Sequence, residues 1–100
     1  MPIDLTQSQK RRLRAAAQRL EPLIRVGRNG LTDAFIASVD ELLANNELIK
    51  VRFEEFKDRK DELSAEIAGR TDSLFVTRVG HVSVFYRPAA DPAKRTVKVD

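Results

Sequence analysis

Leu23-Ile24-Arg25-Val26-Gly27-Arg28-Asn29-Gly30-Leu31-Thr32 is the stretch from which the rest of the chain can be read. Its first four residues are β-branched or apolar for the most part and lie between Pro22 and Gly27, the pattern of a short strand. Thr32 or Asp33 then caps a helix running to about Asn45. Phe35, Ile36, Val39, Leu42 and Leu43 fall within roughly 120° of its wheel, a stripe wide enough to face a core. A strand, a tight loop, a helix and a second strand call for a right-handed crossover and parallel pairing.

Outward from this unit the signals stay regular. Leu48 to Phe53 alternates, with Ile49, Val51 and Phe53 facing one way and Lys50 and Arg52 the other, as in a half-exposed strand. A charged stretch from Glu54 to Glu62 leads into a third helix that ends near Gly69, with Leu63 and Ile67 as anchors. Leu74 to Val79 and Val82 to Arg87 read as two strands joined at Gly80-His81, and Pro88 ends the second. Upstream, Thr6 and Gln9 form a capping box before a helix from Gln7 to Leu20, which Pro22 stops. The order α-β-α-β-α-β-β predicts an α/β fold with a mixed four-stranded sheet. Residues 4–88 form the domain, and Ala89 to Asp100 are expected to be a loose tail. Arg25, Lys50, Arg52 and Arg87 on the polar sides of the strands suggest that one sheet face is wet or only partly covered.

At 100 residues the chain is expected to make one domain with a real core. Its 42% hydrophobic and 33% charged content is not that of a disordered chain. No apolar run is long enough to span a membrane, and the N-terminus shows no signal peptide. The absence of cysteine excludes disulfides, thiol catalysis, zinc-finger ligation and iron–sulfur clusters, and it fits a reducing cytoplasm.

The net charge of +3 hides an asymmetry. Residues 1–30 carry seven basic and two acidic side chains, whereas residues 31–72 carry six basic and eleven acidic. Most of the N-terminal excess sits on the first helix. Leu13, Ala16, Ala17 and Leu20 form its thin apolar seam, with Arg11, Arg14 and Gln18 opposite and Arg12, Arg19 and Lys10 on the flanks. Positive charge concentrated in one element is the footprint of a polyanion binder.

Gly27-Arg28-Asn29-Gly30 has the chemistry to hold a phosphate. Glycines permit close backbone approach and positive φ. A helix N-terminus after Gly30 would favour an anion, Arg28 adds a fork of donors, and Asn29 tolerates the left-handed region. Asn-Gly is also a plain turn signal, and on G-x-x-G alone the turn is favoured. No Lys-Ser/Thr follows as in a P-loop, and the third glycine of a dinucleotide fingerprint is missing. The basic helix on the same small domain shifts the balance toward phosphate.

Val26-Gly27-Arg28-Asn29-Gly30-Leu31-Thr32, Glu47-Leu48-Ile49-Lys50-Val51, Val79-Gly80-His81-Val82 and Phe85-Tyr86-Arg87-Pro88 together resemble the signatures of the CRM domain. This is the chloroplast RNA splicing and ribosome maturation module, and the chain resembles its free-standing bacterial YhbY-type form. The resemblance covers about residues 4–88. It implies an RNA-binding domain related in topology to the C-terminal domain of translation initiation factor three, and association with large-subunit precursors. The loop resembles the KH-type G-x-x-G clamp, although here it follows a strand. Thr71-Asp72-Ser73 departs from the family, which often places a glycine before the third strand. Carried over, the RNA contacts are Gly27, Arg28, Asn29 and Gly30. The helical wheel adds Arg11, Arg14 and Lys10. Lys50, in the matched strand block, is either a contact or a solvated strand lysine.

The other candidates carry less. His81, at a hairpin turn without a nearby cysteine or a conspicuous carboxylate partner, reads as a turn residue. Glu54, Glu55, Asp58, Asp61 and Glu62 alternate with Lys57, Arg59 and Lys60, the pattern of a solvated face and not of paired catalytic acids. Of the aromatics, Phe75 or Phe85 would be the residues to face the open side and stack on bases, but the paired aromatics of an RRM are absent. The expected protein is a monomer without cofactor, metal or catalytic residues, binding the backbone of structured ribosomal RNA during large-subunit assembly. The alternative is a protein-interaction adaptor that docks its basic helix on a ribosomal protein or assembly factor.

Overall fold

β2, Leu48–Phe53, runs beside the middle of the sheet and shows on its two sides what the whole domain does. In this computed structural model, which describes residues 3–97, the sheet order is β1-β2-β4-β3. The other elements are α1 (Gln7–Ala17), β1 (Ile24–Val26), α2 (Asp33–Asn46), α3 (Lys60–Thr71), β3 (Leu74–Val79) and β4 (Val82–Tyr86). Short 3-10 turns cover Lys57–Arg59 and Pro92–Lys94. β1 pairs parallel with β2, and β4 pairs antiparallel with both β2 and β3. The second crossover therefore skips a position, into which the final hairpin strand inserts.

Ile49, Val51 and Phe53 turn to one face and pack with Val26 and Phe85 against Val39 and Leu43 of α2 and Leu63 and Ile67 of α3. Phe35, Ile36 and Leu42 complete the expected α2 stripe as half-buried neighbours of this core. Leu48 turns the other way and joins Val84, Tyr86, Leu13 and Ala17 in a smaller cluster. α1 thus lies alone on the face opposite α2 and α3. It is held by two buried residues, Leu13 and Ala17, while Ala16 and Leu20 of the expected seam are exposed.

α1 has its capping box: Gln9 N donates to Thr6 Oγ1 at 3.1 Å, and Thr6 N donates to Gln9 Oε1 at 2.9 Å. Its α-helical bonding stops at Ala17, three residues before the expected end, and tighter bonds such as Leu20 N to Ala17 O (3.0 Å) finish the turn. Thr32 caps α2 by accepting from Phe35 N at 3.0 Å. In the Thr71-Asp72-Ser73 turn, Asp72 ends α3 in the left-handed region at φ 51°, a conformation aspartate tolerates better than most residues.

Three residues in or just after the last two strands sit otherwise than the sequence suggests. Arg87 is not on the wet face: it follows Tyr86 in alternation and turns under the helices. There it donates to the Asp40 carboxylate at 2.6 Å and to Thr71 O at 2.8 Å. Phe75 and Phe85 also face α2 and α3, with ring centroids 5.8 Å apart, so neither meets the open side.

The segment expected to be a loose tail is, over its described part, joined to the domain by Val97, which packs against the cluster under α1, and by hydrogen bonds to one carboxylate. Glu47, buried at 3% exposure, turns the chain from α2 into β2 at φ 60°. Its Oε1 accepts from Thr96 N (2.6 Å), Thr96 Oγ1 (3.1 Å) and Val97 N (3.0 Å), and Oε2 accepts from Ala89 N (2.7 Å). Residues 98–100 of that tail lie outside the described residues. Burial raises the Glu47 pKa, but the bonds from Ala89, Thr96 and Val97 together outweigh it and hold the carboxyl below its ordinary value. The stabilisation is therefore complete above the ordinary carboxylate pKa and is lost as pH falls through the lowered one. Glu47→Gln turns an NH2 toward one set of N–H donors, and we expect it to cost about 1–3 kcal/mol in denaturant unfolding. Hydrogen exchange should then show lost protection at Thr96 and Val97 while Ile49 and Val51 keep theirs.

Candidate nucleic-acid interface

Because α1 is narrow, it does not cover the sheet. A groove of about 720 Å³ lies between its Arg11, Arg14 and Gln18 side and the strands beyond, where Lys50 and Arg52 of β2 face it. The period of two along β2 explains the pairing of those cations, since burying Ile49, Val51 and Phe53 sends Lys50 and Arg52 to the other face. Arg25 of β1, in register with Arg52, shares that face at the sheet edge. It is tied to Glu54 by an ion pair of 3.1 Å. Arg11, Arg14 and Arg52 are exposed and form no ion pair among the described residues.

Lys50 has a structural bond as well. Its Nζ donates to Leu20 O at 3.0 Å, and Leu23 N donates to Lys50 O at 3.1 Å. The lysine thus pins the connection between α1 and β1 to β2, and two ammonium donors remain for other acceptors.

The Gly27–Gly30 loop stands at the end of β1, outside the residues that line the groove. It closes as a turn, with Gly30 N donating to Gly27 O at 3.1 Å. Gly30 takes φ +70°, and a Cβ there would meet the Phe56 ring at 3.4 Å. Gly27 needs no positive φ, and a Cβ there would have nothing within 4 Å. The side chains of Arg28 and Asn29 are exposed and hydrogen-bond to nothing among the described residues. The helix N-terminus is less open to an anion than the sequence implies. Leu31 and Thr32 intervene, Thr32 occupies Phe35 N, and the first turn carries Asp33, itself 3.0 Å from Arg70. The structure therefore brings Arg11, Arg14 and Lys50 together in one groove, leaves Lys10 out of its lining, and sets the loop at the edge of the same sheet. Arg52 is the groove cation that the sequence reading left out of its candidates; its spacing of two from Lys50 was the available signal.

At the neighbouring hairpin, His81 has no carboxylate partner among the described residues but does meet a lysine. Its Nδ1 lies 2.8 Å from Lys60 Nζ, which also donates to Gly80 O at 3.0 Å. Two further acids of the charged stretch are bound to cations: Asp61 to Arg78 at 2.6 Å and Glu62 to Arg59 at 3.0 Å. These guanidinium hydrogen bonds lower both carboxyl pKa values.

An α-helical layer, a four-stranded mixed sheet and a single helix half-covering the far face define a small α/β module with one cation-lined open side. The chain belongs to the CRS1/YhbY (CRM) domain family, whose model matches residues 5–87. An RNA-binding protein of Haemophilus influenzae is 33% identical over 88 residues, 87% of this chain and 89% of that one. A probable RNA-binding protein of Bacillus subtilis is 32% identical, covering 87% and 92% of the two chains. Among solved structures, a candidate RNA-binding protein of Staphylococcus aureus superposes with a TM-score of 0.78 at 32% identity, over 95% of this chain and 100% of that one.

Lys60, followed by burial and then Lys57, Arg52 and Arg78, pushes the His81 pKa down. An NMR titration of the His81 ring should therefore give a midpoint below the ordinary histidine value. Lys60→Met should move it upward; an unshifted midpoint in both proteins would show that Lys60 does not face the ring in solution.

Proposed function

We propose that this protein binds structured RNA through its phosphate backbone, as a monomer and without catalysis. The RNA we have in mind is ribosomal RNA of a large-subunit precursor in the cytoplasm. The supporting observation is the gathering of Arg11, Arg14, Lys50 and Arg52 in the groove of one half-covered sheet face of a CRM-family domain whose relatives are named RNA-binding proteins. Arginine forks match phosphate oxygens, and each neutralised phosphate releases counterions, so affinity falls steeply with salt. In this reading the groove cations hold one stretch of backbone. Gly27, Arg28, Asn29 and Gly30 hold another at the sheet edge, and Lys10, one helical turn before Arg14 and outside the groove lining, adds long-range attraction.

The loop is tested by combining Arg28→Asp with Asn29→Asp, confirming the fold by circular dichroism and titrating a structured RNA. Affinity should fall at least about tenfold and the salt slope should flatten by about one unit; unchanged affinity removes the loop from the interface. The two glycines separate folding from binding. Gly30→Ala should cost about 1–2 kcal/mol of stability because φ is positive there. Gly27→Ala should leave thermal unfolding unchanged within about 0.5 kcal/mol. If backbone approaches RNA closely at Gly27, that variant loses RNA affinity alone.

A further inference from the structure

The groove has a property that phosphate binding does not use: its floor is apolar. Thr77, Val79, Val82 and Val84 form it, and the turn at Leu20 and Pro22 closes one end. Val79 is 74% exposed and Leu20 38%, two of the three large hydrophobic residues that stand exposed among the described residues. Leaving such methyl groups in water forgoes roughly 25 cal/mol per Å² of apolar area, and a phosphate brings nothing to cover them. The void lies within the range of pockets that enclose small organic groups.

Paired RNA offers the wrong complement. A duplex turns its phosphates and 2′-hydroxyls outward and keeps the apolar faces of its bases stacked inside. Only an unstacked nucleotide presents a flat apolar surface and a phosphate within one residue's reach. We propose that the groove takes one unpaired nucleotide of a structured RNA. The base lies over Val79 and Val82, and the flanking phosphates lie on Arg11, Arg14, Lys50 and Arg52. This rests on the RNA-binding reading above and adds the class of RNA site to it.

Two further features orient the nucleotide. Glu21, the single carboxylate among the lining residues, repels phosphate and accepts hydrogen bonds, so a base edge and not the backbone faces the Leu20–Pro22 end. Because Phe75 and Phe85 lie on the opposite face, the base is held between aliphatic side chains and guanidinium planes, not on aromatic rings.

The test compares a fully paired RNA hairpin with the same hairpin carrying one bulged 2-aminopurine. The wild-type protein should bind the bulged RNA about tenfold more tightly. The 2-aminopurine emission should change on binding, and the affinity ratio should persist at raised salt while both affinities fall. Val79→Asn with Leu20→Gln replaces two exposed side chains without changing charge, and circular dichroism checks its fold. In that variant the preference should shrink to less than about twofold. Equal affinity of the wild-type protein for both RNAs overturns the inference and leaves phosphate binding intact. Failure to bind either RNA overturns both. A dimer in sedimentation that Val79→Asn dissociates would assign the apolar floor to a second copy of the chain and also overturn the inference.

Discussion

The constraint on which everything else rests is the two-sidedness of β2. A strand beside the middle of the sheet must bury Ile49, Val51 and Phe53 under α2 and α3, and its period of two then leaves no choice for Lys50 and Arg52. Those cations are on the open face because their neighbours are in the core. A slip of one residue would expose the core and bury two charges, a cost of many kcal/mol that keeps the register single. The geometry of the interface is thereby tied to the stability of the fold.

The second constraint is how little holds α1. Only Leu13 and Ala17 of that helix are buried, beside Leu48, Val84 and Tyr86, so the helix is narrow in its contact and covers part of the face. Fully burying a leucine contributes roughly 1.5–3 kcal/mol, which is enough to seat a capped helix when Lys50 also pins its exit through Leu20 O. A broader apolar stripe would have closed the groove. The thinness of the seam leaves Arg11 and Arg14 overhanging strands that nothing else covers.

Much of this was legible in the residues. The capping box at Thr6 and Gln9, the α2 stripe, the alternation of β2 and the hairpin at Gly80-His81 are local patterns, and each names its element without knowledge of the rest. Other features are not local. Arg87 reads as one more cation on a strand, and only the position of β4 between β2 and β3 shows that it turns under the helices to Asp40. Phe75 and Phe85 are silent about their face for the same reason. Glu47 carried a family signature but no visible role, because its partners Ala89, Thr96 and Val97 are more than forty positions away. The helix N-terminus after Gly30 promised an anion site, and the cap of Thr32 with the charge of Asp33 takes much of that promise away.

By itself the sequence determined which segments are helix and strand, which faces of α2 and β2 are apolar, and that its basic residues are concentrated toward the N-terminus. Those properties follow from periodicities of two and 3.6 residues, which any reader of the chain can count. Tertiary structure alone decided strand order, the face on which α1 lies, and hence which cations share a groove. Such matters depend on contacts between residues far apart in the chain, where side-chain volumes and register decide, and no local pattern encodes them.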